Sequence, residues 1–251
     1  MYRVEDYPQI KDSFLLKARN RGASKKLLGN VAIFTFFMHR KESDWSDARK
    51  KEYFAALNEA KRWLENEAQR YGVDLKITSY NSTVPVSQNA DSHDGYSLIR
   101  KFLAEYTVEQ AQEYYEKSFN VDETPFIIAF DEHGRSFAVK EYENSPYNRQ
   151  EISVVLNCRE SFSYKTIAHE LLHQFGAVDY YFPNEIKQLA GQYFVNSIMG
   201  VGDPEIDDLT AYLIGWKDTI SNHSYWFLKK TMWFTEEEYI KAVNNAWKTK
   251  F

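Results

Sequence analysis

His169-Glu170-Leu171-Leu172-His173-Gln174-Phe175-Gly176-Ala177-Val178-Asp179 is the stretch on which the fold turns. Just upstream, Ser163 stands as a capping residue ahead of apolar positions at Ile167, Ala168, Leu171, Leu172 and Phe175. That spacing predicts an amphipathic helix. On such a helix His169 and His173 are four apart, so they project from one face a single turn apart. Two imidazoles at that separation suit one metal ion, with Glu170 beside the first ligand as general base toward a water. Gly176 tolerates the positive φ that stops a helix and turns the chain. Such a turn returns Asp179 as a third ligand, giving the three protein ligands and open fourth position of hydrolytic zinc sites.

Working outward, Val31-Ala32-Ile33-Phe34-Thr35-Phe36-Phe37-Met38 is β-branched and aromatic and predicts a buried strand. A helix is expected from about Asp44 to Tyr71, with Ala56, Leu57, Ala60, Trp63 and Leu64 at helical spacing and Gly72 ending it. Val73 to Tyr80 alternates and predicts a strand with one buried face. Residues 87–95 read as a loop and 96–119 as helical. Phe126-Ile127-Ile128-Ala129-Phe130 is a short apolar strand, and Asp131-Glu132-His133-Gly134 a hairpin turn after it. Ser136 to Glu143 and Glu151 to Leu156 complete the strands. This order predicts an α+β fold with helices on a mixed sheet. After the motif, Asp203 and Pro204 read as N-cap and first position of a helix whose apolar stripe is Ile206, Leu209, Leu213 and Trp216. Thr235 and Glu238 form a capping box for a last helix.

Bulk properties narrow the classes. A net charge of −5 argues against a nucleic-acid-binding protein, which would carry a basic surplus. The basic stretch from Lys11 to Lys26 is expected to be a solvated surface segment. One cysteine, Cys158, allows no intrachain disulfide. The longest early apolar run is too short to span a membrane, and the N-terminus lacks the features of a secretion signal. The expected compartment is therefore the cytoplasm, or the outside of the cell for a mature exported form. An aromatic share of 16% suits either a well-packed core or an aromatic-lined cleft.

The pattern His-Glu-x-x-His-x-x-Gly-x-x-Asp resembles the metzincin metallopeptidases, with the Asp in last place similar to the snapalysin-type members. Asn196-Ser197-Ile198-Met199-Gly200 resembles the family's methionine-containing turn, with Met199 as the candidate. The resemblance implies a twisted five-stranded sheet with a backing helix and the active-site helix. The N-terminal subdomain would be 1–176, with a helical insertion near 87–120. A smaller irregular and helical C-terminal subdomain, 177–251, would carry Asp179 and Met199. It further implies Zn2+ as cofactor, endopeptidase activity, a protein or peptide substrate extended along an edge strand (Ser136 to Glu143), and a monomer. Some relatives carry a catalytic Tyr two residues beyond the turn methionine, where this chain has Val201. Tyr180, Tyr181 and Tyr193 are expected to be structural.

Two other assignments use the same histidines. One is a zinc hydrolase whose third ligand is Glu205, Asp207 or Asp208. The other is a non-haem iron enzyme, since two His and a carboxylate also describe that site. His39, His93, His133 and His223 are assigned to no metal, and His133 reads as a turn residue.

Overall fold

A computed structural model of the 251-residue chain describes residues 19, 22–40, 45–103, 106–140, 150–157, 161–181, 184–200 and 204–232. These residues fall into two compact units. One runs to Ala177 and also includes Leu213–Trp216; the other comprises 178–212 and the described residues from Lys217 onward.

The first unit is built on a five-stranded mixed sheet in the order β2-β1-β3-β5-β4. Its strands are β1 (Gly29–His39), β2 (Leu75–Pro85), β3 (Phe126–His133), β4 (Phe137–Lys140) and β5 (Gln150–Asn157). The central strands are parallel, and only β4 runs antiparallel, against β5 at the sheet's edge. Phe126 to Phe130 are all fully buried. Such a continuous apolar run is what a parallel strand covered on both faces requires.

Helices cover each face. Helix α1 (Asp47–Arg70) starts where the Ser46 hydroxyl accepts from the Arg49 N–H, and it ends ahead of Gly72 at φ +68°. Its Tyr53 hydroxyl meets Thr35 on β1 at 3.0 Å, and Tyr53 packs edge-on against Phe37, Trp45 and Phe162. The opposite face gathers Phe34, Phe36, Phe126, Ile128, Ile152 and Val154 under Ile99, Leu103, Val108 and Ala111. Those last four come from the β2–β3 insertion: Ile99 lies on α2 (Gly95–Phe102), Leu103 follows it directly, and Val108 and Ala111 lie on α3 (Val108–Phe119). Helix α3 opens with a reciprocal capping box between Thr107 and Gln110. Among the described residues, packed aromatic rings thus line both sides of the sheet.

The α+β class and the five strands agree with the sequence, but several details do not. Asp131 to His133 extend β3 instead of turning into a hairpin, and His133 lies in the strand. The chain then passes β5 before β4 pairs, because the Ser136 hydroxyl and the Gly134 N–H bond Leu156 and Asn157 on β5. Ser163 occupies the N-cap position of the motif helix α4 (Tyr164–Gln174), yet its hydroxyl makes no capping bond.

In the second unit lie α5 (Asn184–Tyr193), α6 (Asp208–Leu213, whose last residue belongs to the first unit) and α7 (Asn222–Met232). The helix expected to start at Pro204 starts instead at Asp208. Glu205 is held in a bridge with Ser197, its N–H and carbonyl engaged by Asn196 and Ile198. Asp207 is the cap, accepting from the Leu209 and Thr210 N–H groups at 2.9 and 3.0 Å. Ile206, Leu209, Leu213 and Trp216 are all buried, as their spacing predicts. Asp203, Val201, Cys158, the Thr235–Glu238 box and most of the basic N-terminal stretch lie outside the described residues. No helix among the described residues is long and apolar enough to cross a membrane.

Candidate metal centre

Helix α4 brings together the three residues singled out on it. His169, Glu170 and His173 offer ligand atoms lying within 4.8 Å of one another. The two imidazole rings stand 4.8 Å apart and nearly perpendicular, at 87°. Glu170 and His173 are buried and His169 is half-buried, so the group has one side toward solvent. The helix is anchored by Ile167, Ala168, Leu171 and Leu172, all fully buried. Apolar side chains on the same helix therefore hold the polar trio in place.

The end of α4 fixes the chemistry of His173. Gly176 takes φ +99°, and the Phe175 and Ala177 N–H groups both fold back onto the Leu172 carbonyl at 3.0 and 3.1 Å. This turn swings the Ala177 carbonyl to 2.8 Å from Nδ1 of His173. A carbonyl only accepts, so Nδ1 carries the proton, and in the neutral imidazole Nε2 then carries the lone pair. That tautomer is the one a metal ligand bonding through Nε2 needs, and the carbonyl also orients the ring.

Gln174, given no role at the sequence level, is fully buried beneath the trio. Its carboxamide accepts from the Phe126 N–H at 3.0 Å and donates to the Phe126 carbonyl at 2.9 Å and to Ser153 Oγ at 2.7 Å. Ser153 in turn donates to the Glu170 carbonyl at 2.7 Å. The signal was present: Gln174 continues the stripe Ile167, Leu171, and an amide in a core stripe must find partners. The approach to α4 is tied separately. Arg49 donates to Asp131 at 2.9 and 3.0 Å, pairs with Glu52, and lies 5.2 Å over the Phe162 ring. Glu52 accepts from the Phe162 N–H at 3.2 Å.

Asp179 and Met199 belong to the second unit. Asp179 is half-buried, with Oδ1 shut off from solvent. Its neighbour Tyr180 donates its N–H to the Met199 carbonyl at 2.8 Å, and Met199 is fully buried. The Met199 N–H donates to Ser197 Oγ, which donates to Asp207 at 2.5 Å. Asp207 also accepts from the Tyr180 and Thr210 hydroxyls. Asp207 is therefore engaged in knitting the helix cap to the turn at Met199. Asp208 pairs with Lys217 at 2.8 Å, and Glu205 is exposed. The buried Tyr180 is structural through the same network, and exposed Tyr193 stacks on His223 at 4.8 Å. His93 stacks on Phe137 at 5.2 Å.

No protein-family model matches the chain, and no curated protein matches its sequence. Among solved structures it is similar to metalloproteinase-II from Bacteroides fragilis, at 11% identity and a TM-score of 0.41. The alignment covers 82% of this chain and 61% of that one, so the chain spans less than two thirds of that protein's length.

Proposed function

We propose that the chain is a zinc-dependent endopeptidase of the metzincin type. The observation that carries this reading is the His169-Glu170-His173 group with His173 held as its Nδ1–H tautomer by Ala177. Two imidazole nitrogens on one helical face, with a carboxylate beside them, are a donor set that suits zinc. In this reading His169 and His173 hold the ion, and Asp179 is the third ligand, three residues beyond the Gly176 turn. Met199 forms the family's turn, its carbonyl bonded to the N–H of the residue following Asp179.

A bound zinc ion would polarise a water and the substrate carbonyl as a Lewis acid. Glu170 accepts the proton from the attacking water and delivers it to the leaving amine. Its burial keeps bulk water away from the carboxylate. Backbone bonding of an extended peptide to the antiparallel edge strand β4 would align the substrate. Asp179 brings a negative charge that a third histidine would lack, so the water should be somewhat less acidic than at a three-histidine site.

Elemental analysis of the purified protein, combined with a peptide-library cleavage assay, tests the reading. Zinc near one equivalent with cleavage at internal bonds is expected. Iron with substrate-dependent oxygen consumption would replace it with the non-haem iron assignment, and neither metal nor cleavage would overturn both.

A further inference from the structure

Gln174 does more than fill the core. A carboxamide that both donates to and accepts from one residue, Phe126, reproduces the pairing of a neighbouring strand's peptide. It docks the last turn of α4 onto the first residue of β3. The same amide reaches Ser153 on β5, and Ser153 bonds the carbonyl of Glu170. From the main-chain side, the Gln174 carbonyl accepts from the Ser24 N–H at 3.0 Å. Gly22 passes so close that an added Cβ would lie 1.6 Å from that carbonyl oxygen. The final turn of the helix is thus gripped by two strands and by the segment preceding β1. Its rotation about the helix axis is fixed at the turn that carries Glu170 and His173.

We propose that Gln174, acting through Ser153, is the positioning residue that sets the directions of His173 and Glu170 toward the metal. The proposal rests on the zinc reading above. Apolar burial alone leaves a helix some freedom to roll, because it is non-directional. Three directional bonds from one fully buried amide remove that freedom, and each of them would be costly to leave unmade. Groups that orient metal ligands from behind typically change affinity 10–100-fold when removed.

The test compares Gln174→Glu, which replaces the amide donor, with Ser153→Ala, which removes the bond to the Glu170 carbonyl together with the acceptor for one Gln174 N–H. Leu57→Ala on α1 is the control, since Leu57 is fully buried and contributes none of these hydrogen bonds. Zinc affinity is measured by chelator competition, and the cobalt-substituted proteins are compared by visible absorption. Both test variants should bind zinc at least about tenfold more weakly and shift the cobalt bands. Their kcat should fall while KM stays near the parent value. Leu57→Ala should lose thermal stability yet keep the parent affinity and spectrum. If Gln174→Glu fails to fold, Ser153→Ala decides alone. Parent-like zinc affinity and cobalt bands in a folded test variant would overturn the proposal while leaving the zinc reading intact. A parent protein that binds neither zinc nor cobalt would overturn the zinc reading itself, and the positioning role with it.

Discussion

Nδ1 of His173 and the carbonyl oxygen of Ala177 lie 2.8 Å apart across the turn that ends the motif helix. The bond exists because Gly176 takes φ +99°, a conformation that a side chain makes costly. Replacing Gly176 with Ala should therefore cost roughly 1–2 kcal/mol of stability from the left-handed backbone alone. It should also loosen the histidine's orientation. Chemical denaturation would read the first effect and zinc affinity the second. An Ala variant equal to the parent in both would separate the turn from the site.

Glu170 sits on the same helix, buried beside the two imidazoles. Glu170→Gln keeps its shape and removes its capacity to take a proton. The variant should retain zinc while peptide cleavage falls by about 10²–10⁴-fold, the span expected for loss of a positioned general base. Steady-state cleavage and metal content measured on one preparation would check this. Undiminished cleavage would remove Glu170 from the mechanism.

The motif helix was legible because its signals are local: two histidines four apart and apolar residues on one face. The strands were legible from apolar runs for the same reason. The order of pairing was not. Asp131 to Gly134 carries every local mark of a hairpin, yet β4 pairs with β5, a strand encoded later in the chain. The competition between partners for a strand is settled over long sequence separations, where turn chemistry has no say. Asp203-Pro204 failed likewise, since the bridge between Ser197 and Glu205 takes the backbone groups that a helix there would need. The place of Gln174 on the core stripe was legible, but its partners Phe126 and Ser153 stand 48 and 21 residues away in the chain, where helical spacing carries no information.

Glu123 gives the fold a pH dependence of its own. Burial pushes its carboxyl up to about 7, against hydrogen bonds from the Lys25 and Lys26 N–H groups and the charge of Lys25, while Glu116 adds repulsion. A raised pKa means that the folded chain holds the proton over a range in which the unfolded chain has released it. Stability from this group is full below about pH 4.5 and is lost as pH rises toward about 7. Glu123→Gln keeps an acceptor for the Lys26 N–H, now at 3.2 Å, without the buried charge. Urea unfolding at pH 5 and pH 8 should show the variant gaining stability on the parent at the higher pH. An unchanged difference between the two would contradict the raised value.

Asp179 and Asp207 offer the sharpest separation of ligand from scaffold. Asp207 accepts from Ser197, Tyr180, Thr210 and the Leu209 N–H, holding the start of α6 to the turn at Met199. Asp207→Ala should cost about 1–3 kcal/mol, from the lost cap and the buried hydroxyls left unmatched. Once folded, it should bind zinc in full stoichiometry. Asp179→Ala removes one of three proposed ligands and should weaken zinc binding, because a hydrolytic zinc site needs three protein ligands. Chelator titration and metal-free thermal melts on both variants would show which carboxylate does which. Weak zinc binding in Asp207→Ala with tight binding in Asp179→Ala would move the third ligand to α6. The turn after Gly176 would then have only a structural role.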